Sequence, residues 1–213
     1  MKLYYHPIST YSQKVLIALY ENDLKFEREI VRLMDPEARE QYRETYPLGK
    51  IPVLALDNGR LIPESTIIIE YLEGLGGASL IQGDADQQRQ VRFKDRMLDL
   101  YLNDNVATLL FQGIKPEEQR DQERIAQANF QIATIYSFME NELGEQSFAA
   151  GEDFSMADCA AAPALFYAQQ VATFDDYENI CAYWDRLNAR PSIQKVQEEA
   201  APAIAAFMEQ SAA

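Results

Sequence analysis

One stretch constrains this chain more than any other: Gly49-Lys-Ile-Pro-Val-Leu, followed shortly by Pro63-Glu-Ser-Thr. Proline has no amide hydrogen to give a central ladder, so Pro52 is expected to begin an edge strand or interrupt one. Asn58-Gly59 has the composition of a two-residue type I′ turn that returns the chain as Arg60-Leu-Ile. Ile68, Tyr71, Leu72 and Leu75 follow at helical spacing, which places Ser65 as the N-cap of a helix. A helix start presents free backbone N–H groups, and these suit a small anion.

The chain around this stretch alternates strand and helix. Lys2 to Tyr5 has the aromatic and branched character of a strand. His6-Pro7 opens a turn, and Val15, Leu16, Ala18 and Leu19 mark a helix ending near Asn22-Asp23. Phe26 to Val31 reads as a second strand. Asp35-Pro36-Glu37 begins a short polar helix, with proline at its first position and acid in the first turn. The order is β-α-β-α-β-β-α over about the first 77 residues, and no convincing strand follows. Gly74 to Asp84 is rich in glycine and reads as a connection. The expected organisation is an α/β domain over 1–77, a linker over 78–86 and an all-helical domain over 87–213.

In the helical part, Leu98, Tyr101, Leu102, Val106 and Leu109 fall on one face of a long helix. A second long helix is expected from about Glu117 to Leu143. Ser155, with Asp158 three residues on, forms a variant of the capping box, flanked by Phe154 and Cys159 as a hydrophobic staple. The apolar run from Cys159 to Phe166 marks a buried helix. Pro163 inside it is expected to kink it or to sit in an opened turn.

Composition excludes several classes. A net charge of −15 argues against nucleic acid, which requires a basic surface, and against anionic membranes. No apolar run approaches the length of a membrane span, and the N-terminus lacks the apolar core of a signal peptide. Cys159 and Cys181 are too few for a disulfide framework or a zinc site, so no metal is expected and a cytoplasmic setting is. Against so acidic a background an anionic ligand needs local positive charge, which draws attention to Lys50.

Taken together, several segments carry a resemblance. His6-Pro-Ile-Ser-Thr-Tyr-Ser-Gln-Lys-Val, Pro47-Leu-Gly-Lys-Ile-Pro-Val-Leu, Leu61-Ile-Pro-Glu-Ser-Thr-Ile-Ile-Ile-Glu-Tyr-Leu, Phe154-Ser-Met-Ala-Asp and Arg190-Pro-Ser-Ile-Gln-Lys-Val occur in this order. The chain in these places resembles the cytosolic glutathione transferases, which join a thioredoxin-like first domain to an all-helical second one. The resemblance implies glutathione as cosubstrate, no prosthetic group, a small hydrophobic electrophile as second substrate, and a homodimer. It implies that Pro52 is cis and that Ile51 offers its backbone to the cysteinyl part of glutathione. Ser65 would take the γ-glutamyl carboxylate, Glu64 would face the γ-glutamyl ammonium, and Lys50 would pair with the glycyl carboxylate. Counted back from Lys14-Val15, Ser9 falls where serine-using members activate the thiol, at the foot of a helix whose dipole favours a thiolate. Ser12 and Tyr5 are the rivals, and absence of any catalytic hydroxyl remains a fourth option. His6 reads as a strand-end residue satisfied by backbone. Tyr11, Tyr101 and Asn105 are candidates to line an electrophile pocket. The alternatives in function are a non-catalytic or regulatory glutathione binder, and a related dehalogenase, isomerase or peroxidase.

Overall fold

The computed structural model of the chain describes residues 1–211, so Ala212 and Ala213 of the segment 87–213 lie outside the described residues. The first part contains β1 (Lys2–Tyr5), α1 (Thr10–Glu21), β2 (Glu27–Ile30), α2 (Pro36–Thr45), β3 (Val53–Ala55), β4 (Leu61–Pro63) and α3 (Ser65–Glu73). Its strands form a mixed sheet in the order β2-β1-β3-β4. β1 runs parallel to β2 and antiparallel to β3, and β3 is antiparallel to β4. This is the expected α/β arrangement of a thioredoxin-like domain.

Two local expectations are corrected. β3 lies between β1 and β4 and is not an edge. Pro52 is accommodated because it precedes the first paired residue, Val53, and owes the ladder no hydrogen. The hairpin loop has three residues, Asp57 to Gly59, with Leu56 N–H bonded to Arg60 C=O and Gly59 N–H to Leu56 C=O. A type I′ turn requires positive φ at both central residues. Here Gly59 adopts it at +83°, whereas Asn58 does not and instead accepts the Arg60 N–H through its side chain. Strand β2 is exposed along its length, and Glu27 and Glu29 flank Lys2 at 3.9 and 3.8 Å, which places charge on this edge of the sheet.

Residues 74–84 lead to the helical part: α4 (Ala85–Met97), a π turn (Leu98–Asn103), α5 (Asp104–Gly113), a 3₁₀ turn (Glu117–Gln119), α6 (Gln122–Leu143), α7 (Met156–Val171), α8 (Glu178–Asn188) and α9 (Pro191–Ser211). Leu98, Leu102, Val106 and Leu109 are buried as their spacing implies, but Tyr101 is 53% exposed. The π turn is the reason: its i→i+5 bonding widens the helix, so a residue three positions after Leu98 swings off the inner face. The second long helix begins at Gln122, later than expected, because Asp121 caps it through the Arg124 N–H.

At the start of α7, Asp158 is fully buried and does more than cap. Its carboxylate accepts from Ser155 N–H at 2.7 Å, Ser155 Oγ at 2.8 Å, Ala149 N–H at 2.8 Å and Tyr183 Oη at 2.6 Å. It thereby joins α7 to α8 and to the preceding loop. Pro163 sits within α7, and Cys159 is buried in the core while Cys181 packs against it. One hydrophobic cluster runs through both parts, each fully buried Leu or Ile in it contributing about 1.5–3 kcal/mol. α1 packs against α3 of the sheet domain on one side and α7 of the helical domain on another.

Candidate active site at the sheet end

Strand register gathers the candidate residues. Tyr4 pairs with Val53, and Val53 with Pro63. The turn leaving β1, the Ile51-Pro52 entry to β3 and the Glu64-Ser65 exit from β4 therefore lie side by side at one end of the sheet. Neighbouring strands are about 4.8 Å apart, so the three positions form a row about 10 Å long. The Ile51–Pro52 bond is cis. Lys50 is exposed, and its carbonyl accepts the Tyr42 hydroxyl at 2.9 Å, which ties the approach to Ile51 to α2.

Ser9 is the N-cap of α1, with extended φ/ψ of −75° and 119°, and its Oγ accepts the Ser12 N–H at 3.4 Å. Accepting through a lone pair leaves its hydroxyl hydrogen available to a ligand. His6 to Ser9 form a tight turn closed by Ser9 N–H to His6 C=O at 3.0 Å. The rivals sit differently. Ser12 is fully buried, and its Oγ accepts the His6 N–H. Tyr5 is buried in the core, and burial raises its hydroxyl pKa. His6 accepts the Ile8 N–H on Nδ1, and burial lowers its pKa, so the imidazole is held neutral.

At the third position the structure departs from expectation. Ser65 is the first helical residue of α3, and Glu64 is the N-cap, at φ +68° and without a side-chain capping bond. The first N–H groups of α3 thus have no cap. Ser65 is buried, and its hydroxyl has no hydrogen-bond partner among the described residues.

The next residue, Thr66, leads into a buried charge cluster absent from the sequence reading. Lys14 Nζ lies 2.6 Å from Asp95 Oδ1, 2.7 Å from Asp99 Oδ2 and 3.0 Å from Thr66 Oγ1. Thr66 donates to Asp95 Oδ2 at 2.7 Å, and Arg96 reaches Asp99 at 3.3 Å. Lys14, Asp95 and Asp99 are almost fully buried. The cluster joins α1 and α3 of the sheet domain to α4 and the π turn. Burial, with Asp95 adding to it and Lys14 opposing, pushes the Asp99 carboxyl up to about 6.

Of the three electrophile-pocket candidates, Tyr11 crosses between the domains. Its hydroxyl donates to Asp104 Oδ1 at 2.8 Å and approaches the Asp99 carbonyl at 3.4 Å. Burial and these acidic neighbours raise its pKa, so it stays a neutral donor. Asn105 donates to the Tyr101 carbonyl one helical turn back, and neither bonds to the turn that carries Ser9. Two other residues do. Gln13 Nε2 donates to Pro7 C=O at 2.7 Å, and Tyr167 of α7 donates to Ile8 C=O at 2.9 Å. The only sequence hint was polar Ser12-Gln13-Lys14 inside an otherwise apolar helix.

Both parts of the chain are similar to known proteins. Residues 3–79 match the family model of the glutathione S-transferase N-terminal domain, and residues 102–191 match that of the C-terminal domain. Glutathione S-transferase 2 of Saccharomyces cerevisiae is 28% identical over 210 residues, covering 93% of this chain and 90% of that protein. A glutathione S-transferase structure from Methylobacillus flagellatus with GSH bound has a TM-score of 0.83 at 28% identity, covering 92% of this chain and 98% of the other. The structure of Gtt2 from Saccharomyces cerevisiae has a TM-score of 0.80 at 26% identity, covering 92% and 100%.

Proposed function

Since the chain belongs to the cytosolic glutathione transferase family, we propose that it is a serine-type transferase joining glutathione to small hydrophobic electrophiles. The observation that carries this reading is the register-built row at the sheet end. An extended tripeptide spans at most about 10 Å, the width of that row. Ile51, ahead of the cis Pro52, offers backbone to the cysteinyl unit. Ser65 and the uncapped N–H groups of α3 receive the γ-glutamyl carboxylate, Glu64 faces the γ-glutamyl ammonium, and Lys50 meets the glycyl carboxylate.

Ser9, in the turn that leaves β1 beside the Ile51-Pro52 entry, acts on the thiol. A free thiol titrates near ~8.5, and a unit of depression corresponds to about 1.4 kcal/mol. A hydrogen bond to the sulfur anion of about 1.5–3 kcal/mol, with about 0.3–1 kcal/mol from the foot of α1, lowers it by roughly one to two units. Thiolate then predominates near neutral pH without a general base, in keeping with a neutral His6. The free hydroxyl hydrogen of Ser9 and the burial of Ser12 and Tyr5 support Ser9 among the three. The electrophile is held from the helical side, where Tyr11 meets Asp104, with Tyr101 and Asn105 nearby. The protein acts as a cytoplasmic homodimer.

Calorimetric titration of glutathione, together with turnover on an electrophile panel, tests this reading. Wild type is expected to bind and conjugate, Ser65→Ala to bind more weakly, and Ser9→Ala to bind comparably with a raised thiol pKa and slowed turnover. Wild type that does not bind glutathione sinks the proposal. Binding without turnover on any electrophile favours the non-catalytic alternative.

A further inference from the structure

We propose that Tyr167, a residue of the helical domain, is a positioning residue for the thiol-activating hydroxyl, acting with Gln13 through the turn that carries Ser9; this rests on the serine reading above. The turn His6-Pro7-Ile8-Ser9 is closed by its own backbone bond, Ser9 N–H to His6 C=O. That bond leaves the carbonyls of its two central residues, Pro7 and Ile8, without a partner inside the turn. Each is taken by a side chain from elsewhere. Gln13 donates to Pro7 and Tyr167 to Ile8, and Gln13 Nε2 also lies 3.5 Å from the Tyr167 oxygen. Both side chains are themselves buried.

In a tight turn the middle peptide, here Pro7 C=O with Ile8 N–H, can rotate between turn types while the closing bond survives, and Gln13 removes that freedom. The next peptide joins Ile8 C=O to Ser9 N–H, so Tyr167 and the closing bond hold its two ends and fix the unit that enters Ser9. The residue that follows is Ser9, whose extended backbone aims its Oγ at the foot of α1. A hydroxyl offered to a sulfur anion depends on direction, because a hydrogen bond weakens steeply with misalignment. The clamp also crosses a domain boundary: Ile8 and Tyr167 lie 159 residues apart. Burial raises the Tyr167 pKa to about 12, so the phenol keeps its donor hydrogen across the pH range in which the thiol titrates.

The test compares Tyr167→Phe, Gln13→Met and Ser9→Ala with wild type. Glutathione affinity is measured by calorimetry, the pKa of the bound thiol by thiolate ultraviolet absorbance against pH, and turnover with a chlorodinitroarene. Tyr167→Phe is expected to bind glutathione within about twofold of wild type while its thiol pKa rises by about half a unit to one unit, with turnover near neutral pH falling up to about tenfold. Gln13→Met is expected to move the same pKa in the same direction, which keeps the test intact if Tyr167→Phe does not fold. A thiol pKa unmoved in the folded clamp variants but raised in Ser9→Ala overturns the clamp alone. A pKa unmoved in Ser9→Ala overturns the serine reading and the clamp with it. Loss of glutathione affinity with an unshifted pKa shows general disruption and also overturns the proposal.

Discussion

Two helices of this molecule begin with a serine close to a carboxylate, and they begin differently. At α7 the serine comes first and the acid three residues later, so Asp158 turns back onto the Ser155 N–H and gathers two further donors from Ala149 and Tyr183. At α3 the acid comes first. Glu64 occupies the cap position at φ +68° with no capping bond, Ser65 falls inside the helix, and the third helical position is Ile67. Similar residues in the opposite order give one start that is closed by its own acid and another whose first donors carry no side-chain cap. The open start is held from outside, through Thr66 and the Lys14 cluster.

The largest expected effect comes from removing that outside support. Lys14→Met strands two buried carboxylates and is expected to cost about 3–5 kcal/mol in urea unfolding. Unchanged stability would mean that α3 needs no such anchor. Asp158→Ala leaves the donors of the closed start unpaired in the core and is expected to cost about 3 kcal/mol. A loss below that of an ordinary exposed cap would erase the contrast between the two starts.

A pH scan of wild type against Asp99→Asn tests the anchor. The Asp99 pKa is raised in the folded protein to about 6 from 3.8, so the folded state binds the extra proton. The stability Asp99 contributes is fully present below about pH 4 and is lost as pH rises through about 6. Wild type is therefore expected to lose stability relative to Asp99→Asn across that window. Parallel curves for the two proteins would count against the assignment. The smallest effect on folding belongs to Ser65→Ala, within about 0.5 kcal/mol, yet glutathione affinity is expected to fall by about tenfold or more, the worth of one hydrogen bond to a charged group. Equal losses of folding stability in Ser65→Ala and Asp158→Ala would break the comparison outright.

What the sequence disclosed follows the same division. The Ser155–Asp158 box was legible because donor and acceptor lie three residues apart. The alternation of strand and helix was legible because its periodicity is local. Ser65 was misplaced by one position, since cap preference cannot anticipate a glutamate at positive φ. Asn58-Gly59 misled in the same way, because only the glycine takes the positive φ that both residues of a type I′ turn require. The Lys14–Asp99 and Tyr167–Ile8 bonds span 85 and 159 residues. No local preference reports such partners, so these bonds between the domains had no mark in the sequence. The row at the sheet end was legible only as separate pieces; strand register assembled it.

The π turn between α4 and α5 has a consequence for how such a scaffold can vary. It is a stretch where the helix carries extra length without opening a gap in the core, since Leu98 and Leu102 remain fully buried. Shortening it by one residue would turn everything downstream by about 100° around the helix axis. Asp95, which grips Lys14, lies upstream and would stay in place; Asp104, which receives Tyr11, lies downstream and would swing away. A change of one residue in chain length is thus a coarse dial on the helical wall, leaving the ionic joint between the domains half intact and the sheet end untouched.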